Sequence, residues 1–488
     1  MKILFYFAAA ILAITSELAS AERVTSQLSL MNPAPSQSTI KGLRVGVIGG
    51  KHAIPARLVS ELKRLGVHLQ PLRNENQLAQ VQMVMLDGKA LTRRVLENPI
   101  LRAAWDRSIP IALSEVDEAK KHLLVEYGWL DIVPKDTSTL WAVWQSGGEI
   151  FESDLSGSDW AAYRKHRRMA EAAIEAVMAD AVIMEPESQL VRASSTPRPE
   201  VGPGAWRTRP HNIAYHQLRW VRYRYDGGIP GDGVEEGKPL LWDQQARLDF
   251  GVTLTGYRTP GSENAWVVGQ FYVNANPDTK KRGHYMGNWG LNRILTGGML
   301  LRSTHVATVS EGLTGWQYSP TNSNGSSQVT TGLSVNFAAP EAAGVNYSSS
   351  ITRDITDWEV IANQNGSTYS WDYRSQNGSF SDAEACYQSD AHFTTCGFTD
   401  WHVNRYNTDS MPSNMSAIWR TSRDNRLISI RLSSTMYTTS VFNQWMVGQP
   451  NQTAFWPMGH SSATRHFTLY LQALWHRSCE APHCFVTQ

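Results

Sequence analysis

Cysteine is scarce in this chain of 488 residues: Cys386, Cys396, Cys479 and Cys484 are the full set, all in the last quarter and in two close pairs. A metal site would need His392 or His483 beside them, but neither C-x-x-C nor a Cys/His array at zinc spacing is present. Net charge is missing too. Lys and Arg number 45 against 44 Asp and Glu, a formal +1, and no basic run with interleaved aromatics marks a nucleic-acid groove. Beyond the N-terminal stretch no segment approaches about 18 uninterrupted apolar residues, so no spanning helix is expected.

Catalytic motifs fail one by one. The loop Gly46-Val47-Ile48-Gly49-Gly50-Lys51-His52 has Val45 and His52 where a P-loop needs Gly and Ser or Thr. Ile48 stands where a dinucleotide fingerprint needs its second Gly. H-E-x-x-H, G-x-S-x-G and the EF-hand loop do not occur; Gly459-His460-Ser461-Ser462 lacks the second Gly of a nucleophile elbow. The expectation is a chain that catalyses no reaction and holds no cofactor and no metal.

What is present begins with Lys2, an apolar run from Ile3 to Ile14 and Ala19-Ser20-Ala21, the layout of a secretory signal peptide over residues 1–21. The mature chain is therefore expected to be exported. In that setting an even cysteine count at close spacing implies disulfides, most simply Cys386 to Cys396 and Cys479 to Cys484, with other connectivities open. At 42% hydrophobic and 18% charged residues the chain has the composition of a folded protein, long enough for more than one core. Its 18 Trp and 17 Tyr are amphipathic rings suited to surfaces that meet membranes or sugars.

Residues 22–41 read as an unstructured leader. From 42 to 185, apolar strands (LRVGVIG, VHLQPL, VQMVMLDG, IPIALSE, LDIVP) alternate with helices over Pro55 to Leu65, Leu91 to Arg107, Val116 to Tyr127 and Trp160 to Ala181. That alternation predicts an α/β domain with a doubly wound, flavodoxin-like parallel sheet, a candidate pro-domain. Residues 186–210 are Pro-rich and offer Arg192, Arg198 and Arg207 as protease targets in a linker. Beyond them, residues 211–488 read as all-β, with strands over Leu241 to Tyr257, Ala265 to Val273, Leu427 to Leu432 and His466 to Trp475.

Within the β region, Val329, Thr331, Leu333, Val335 and Phe337 alternate with polar residues, as do Val345, Tyr347, Ser349 and Ile351 after a turn carrying Pro340 and Gly344. A period of two means strands with one apolar and one polar face, antiparallel about Glu341. Each arm matches the roughly 9 to 11 residues with which a tilted strand crosses a bilayer. One hairpin alone would leave edge groups unpaired in lipid, so several copies would have to close a barrel. The soluble alternative is a half-buried hairpin in an ordinary sheet.

The run from Ser348 to Ser375, SSSITRDITDWEVIANQNGSTYSWDYRS, resembles the stem-to-cap passage of the leukocidin and hemolysin family of β-barrel pore-forming toxins, and the likeness extends loosely from Leu241 to Trp475. The resemblance implies a β-sandwich and rim domain with a membrane-inserting stem at about 315–357 and a rim at about 371–419. Val329, Leu333, Val335, Phe337, Val345, Tyr347 and Ile351 would face lipid. Trp401, His402, Arg405 and Tyr406, with Trp371 and Tyr373, would take lipid head groups at the rim. An Arg beside aromatic rings suits phosphocholine, guanidinium to phosphate and ring face to choline. The family pattern also implies a homo-oligomeric ring of about seven or eight subunits, secretion, and insertion into a target-cell membrane. In the monomer the hairpin would store its apolar face, with the strand over Leu241 to Tyr257 as the expected cover. The short members of the family have no counterpart of the α/β segment. The alternative function is an extracellular carbohydrate-binding or hydrolytic β-sandwich protein whose aromatics stack on sugars.

Overall fold

The computed structural model describes residues 40–49, 54–156, 167–183, 205–223, 240–258, 265–276, 284–286, 291–310, 312–321, 328–336, 346–354, 358–375, 411–421, 427–446 and 452–470. Near the N-terminus, β1 (Arg44–Val47), β2 (His68–Pro71), β3 (Met83–Asp87) and β4 (Ile111–Val116) lie parallel in the order β2-β1-β3-β4. Helices cover both faces, and β3 shows why. Met83 and Met85 pack with Leu58 and Leu62 of α1 (Ala56–Arg64) and with Ile174 and Val177 of α5 (Arg167–Ile183). The intervening Val84 and Leu86 pack with residues of α2 (Arg93–Leu96), α3 (Pro99–Asp106) and α4 (Glu118–Glu126). A strand buried on both faces has to be apolar there, and Met83 to Leu86 are, while Asp87 at the strand's end is only half-buried.

Three details differ from the expected pattern. The single helix expected over Leu91 to Arg107 is two, because Asn98 accepts a hydrogen bond from the Ile100 amide at 2.9 Å and Pro99 takes the first helical position. The sheet is also mixed and not wholly parallel. β6 (Ser138–Ser146) pairs antiparallel with β4 and turns into β7 (Glu149–Ser156) through Gly147 and Gly148, whose φ of 59° and 78° suit a tight hairpin turn. The expected strand at LDIVP is only β5 (Val133–Pro134), and it joins the other sheet.

β7 pairs parallel with β9 (His211–Tyr223), from Ile150↔His211 to Asp154↔Tyr215. The same sheet therefore continues into the β region. It runs on antiparallel through β10 (Leu240–Arg258), β11 (Ala265–Asn276), β19 (Met411–Thr421) and β14 (Leu313–Ser319), with β8 (Ala205–Arg207) also on β10. A second sheet has the order β17 (Trp358–Asn365), β18 (Thr368–Ser375), β13 (Leu291–Val309), β20 (Leu427–Met446), β21 (Gln452–Tyr470), β5, with β12 (His284–Met286) on β13. Phe250, Phe271 and Trp419 from the first sheet share one core with Tyr369, Trp371 and Ile430 from the second, which makes a β-sandwich.

Trp371 and Tyr373, expected at a lipid-facing rim, are corrected by this packing. Both are buried in the sandwich core, with Tyr369, at alternate positions on β18. Their hydroxyl and indole groups are used internally: Tyr369 Oη donates to the Ile418 carbonyl at 2.7 Å, and Trp371 Nε1 to the Pro320 carbonyl at 3.2 Å.

Candidate functional site

β15 (Gln328–Asn336) and β16 (Asn346–Asp354) form a two-stranded sheet of their own. Among the described residues neither strand pairs with the sandwich. Their register, Gln328↔Asp354 through Asn336↔Asn346, has no bulge and is symmetric about position 341, as the alternation predicts. Directly opposed residues share a face. One face therefore carries Gln328↔Asp354, Thr330↔Thr352, Gly332↔Ser350, Ser334↔Ser348 and Asn336↔Asn346, all without an apolar side chain. The other carries Val329↔Arg353, Thr331↔Ile351, Leu333↔Ser349 and Val335↔Tyr347. Phe337, Val345 and the turn lie outside the described residues.

The two ends of this hairpin are rooted in different sheets. β14, on the first sheet, precedes it, and β17, on the second, follows it. The Trp371 indole fixes the chain at Pro320, just before the hairpin. β15 lies against β14 and β19, the free-edge side of the sandwich. That corrects the expected cover over Leu241 to Tyr257: β10 is separated from this edge by β11 and β19.

The middle of the same sheet holds a second polar constellation, at the seam where β7 meets β9. On one face Glu152 Oε1 is 3.0 Å from His211 Nδ1, and Trp141 Nε1 donates to Glu152 Oε2 at 3.1 Å. The Asp131 amide donates to His211 Nε2 at 3.3 Å, and Arg209 grips the Asp131 carboxylate through Nε at 3.1 Å and Nη2 at 2.8 Å. On the other face, Asp180 of α5 accepts from Ser153 Oγ at 3.1 Å and Arg247 Nη1 at 2.7 Å, and pairs with His216. Burial alone would raise the Asp180 pKa, but Arg247 and His216 outweigh it and hold it at about 2. Charges this deeply buried are tolerable because they are paired. Among the described residues no group of His, Cys, Asp or Glu is arranged to hold a metal ion.

Of the residues expected to act, Val329, Leu333, Val335, Tyr347 and Ile351 come together on one hairpin face. Trp401, His402, Arg405 and Tyr406, the four cysteines, Arg192 and Arg198 lie outside the described residues. Arg207, expected in an open linker, is instead paired through β8 with Thr255 of β10, and its side chain is half-buried. The seam residues were not anticipated. The signal for their hairpin, Gly147-Gly148 between two alternating runs, was present in the sequence.

No protein-family model and no curated protein matches the chain. Among solved structures it overlaps a "Pore forming protein" at 10% identity over 54% of this chain and 94% of that one, TM-score 0.31. It overlaps Clostridium perfringens delta-toxin at 10% identity over 57% and 98%, TM-score 0.32. For the Clostridium perfringens NetB toxin in the membrane-inserted form the figures are 9%, 54% and 97%, with TM-score 0.28. Scores this low establish neither a shared fold nor a shared activity.

Proposed function

We propose that this chain is a secreted pore-forming protein of the leukocidin and hemolysin type, in which the β15–β16 hairpin leaves the sandwich edge and contributes two strands to a membrane-spanning barrel shared by several copies. The observation that carries the reading is the hairpin register: it separates a wholly polar face from a mainly apolar one in a pair of strands that the sandwich does not use. In a barrel the polar face lines water, the apolar face meets lipid, and closure pairs every backbone group. Nine paired residues per arm lie within the roughly 9 to 11 that a tilted strand needs. Rim residues Trp401, His402, Arg405 and Tyr406 would hold the protein on phosphocholine head groups, and no reaction is catalysed. The N-terminal unit, with its β2-β1-β3-β4 order, is of the flavodoxin-like type and acts as a pro-domain whose release needs both a cut in the 186–210 linker and separation of β7 from β9.

Dye release from phosphatidylcholine vesicles tests this. Val335→Lys puts a charge on the lipid face at a cost of about 2 to 4 kcal/mol per copy, multiplied around the ring, and is expected to abolish leakage while vesicle binding persists. Ser334→Lys, on the pore face, is expected to keep leakage and shift selectivity toward anions. Equal tolerance of Lys at both positions contradicts the assignment.

A further inference from the structure

We propose that Asp354 sets the ion selectivity of the pore, as a ring of carboxylates at the mouth nearest the sandwich, and that the open pore passes cations in preference to anions. The inference rests on the barrel reading of β15 and β16 and adds to it the class of solute that the pore conducts. Its ground is the distribution of charge along the hairpin. From Leu313 through Asn336, a run that covers β14, the link to β15 and β15 itself, the sequence holds no Lys, Arg, His, Asp or Glu. From Asn346 to Thr352 it holds none either, and β16 ends on Arg353 and Asp354.

These two charges fall on different faces. Asp354 is the register partner of Gln328, at the end of the face that carries Thr330↔Thr352, Gly332↔Ser350 and Ser334↔Ser348. Arg353 is the register partner of Val329, on the face with Leu333, Val335 and Ile351. Successive strand residues alternate faces, so in a barrel Asp354 belongs to the lumen and Arg353 to the outside. Both sit at the sandwich-proximal end, since Asn336↔Asn346 is the pair nearest the turn and Gln328↔Asp354 the pair farthest from it. A cation on the outer face is there at head-group depth, where lipid phosphates compensate it. A carboxylate on the inner face meets water and the passing ion.

The strand beside Asp354 supplies no cation to cancel it. Within one copy the opposed residue is Gln328, a neutral amide. Between copies, β16 of one must pair with β15 of the next for the barrel to close. Every residue of β15, and every residue from Leu313 up to it, is uncharged, so no register that pairs these segments puts a cation next to Asp354 on the lumenal face. Repetition around the ring concentrates like charge at one level of the pore, which draws cations in and repels anions.

Planar-bilayer recordings of the full-length protein, with reversal potentials read under a KCl gradient, are the test. Wild-type pores are expected to favour K⁺ over Cl⁻ on the order of fivefold in dilute salt, falling toward unity at about 1 M, where the screening length is about 3 Å. Asp354→Asn should remove the preference. Gln328→Lys, which sets a cation opposite Asp354 at the same level, should remove or reverse it with Asp354 in place. Asp354→Asn combined with Gln328→Asp should restore it, while Arg353→Gln on the outer face and Glu341→Gln in the turn should leave it unchanged. The proposal is overturned by wild-type pores that are unselective or anion-selective, or by Asp354→Asn pores that keep the wild-type ratio. Loss of selectivity in Glu341→Gln also overturns it, because the filter would then lie at the far mouth. Those outcomes leave pore formation standing; absence of any conductance from bilayer-bound protein would overturn the barrel reading and this proposal with it.

Discussion

At the scale of the residue, the sandwich depends on a few buried polar side chains, and His305 is the clearest. It sits on β13 between the sheets, with Nδ1 2.8 Å from Ser434 Oγ of β20 and Nε2 3.2 Å from Ser413 Oγ of β19. Burial lowers its pKa to about 3, against a smaller opposing effect from Asp372. The depressed value has a definite sign for stability. Above about pH 6.5 both folded and unfolded forms are neutral; as pH falls toward 3 the unfolded chain binds the proton first, and stability is lost. Between pH 7.5 and 5 this one group should remove on the order of 2 kcal/mol. Urea unfolding at the two pH values should show that loss in the wild type and a smaller one in His305→Asn; equal losses would show that His305 does not carry the effect. Asp180 makes a second residue-scale case. Asp180→Asn takes the carboxylate from half-buried Arg247 and buried His216, and should cost about 3 kcal/mol in thermal or chemical unfolding.

At the scale of the element, the hairpin was legible in the sequence because a period of two over nine positions leaves little choice of face. The register centred on position 341 follows from the same alternation. The alternation of Tyr369, Trp371 and Tyr373 carried equal information, and it marks a buried strand face where an aromatic-rich surface was expected. Aromatic composition alone does not distinguish core from rim, since both environments favour large rings. In β14, Gly315 opposes Trp419 and Gln317 opposes Ile418, so Trp316 is the extra residue of a β-bulge, and this bulge was not legible at all. Nothing in Leu313–Ser319 announces an extra residue; it arises because Tyr369, more than fifty positions later, supplies a hydroxyl for the Trp316 amide. Gly315→Ala should therefore destabilise the sandwich although it exchanges one small residue for another, because the new Cβ meets a backbone carbonyl that cannot move away cheaply. A melting temperature equal to wild type would remove the case for the bulge as a fixed feature.

At the scale of the whole molecule, the α/β layers and the sandwich share one sheet through β7 and β9. Sequence could not show this, since the pairing joins segments some sixty positions apart and neither strand carries a local mark of its partner. The composition break at 186–210 was plain, and it suggested two bodies on a tether. A protease cut in the segment 184–204 should accordingly leave the two pieces associated, held by the β7–β9 ladder and by the Glu152–His211 and Asp180–Arg247 contacts. Size-exclusion chromatography of the nicked protein should show a single species under native conditions and two after denaturation. Two species under native conditions would mean that the seam does not hold without the covalent link.

The central claim is that the β15–β16 hairpin moves into lipid with its register intact, and a cysteine scan reads it most directly. Single cysteines at Leu333, Ser334, Val335 and Asn336, labelled with an environment-sensitive fluorophore, report whether each position is dry or wet after the protein is added to vesicles. The account predicts a period of two: Leu333 and Val335 shift to the blue, while Ser334 and Asn336 keep the emission of a probe in water. Four unchanged spectra, or four equal shifts, would contradict it.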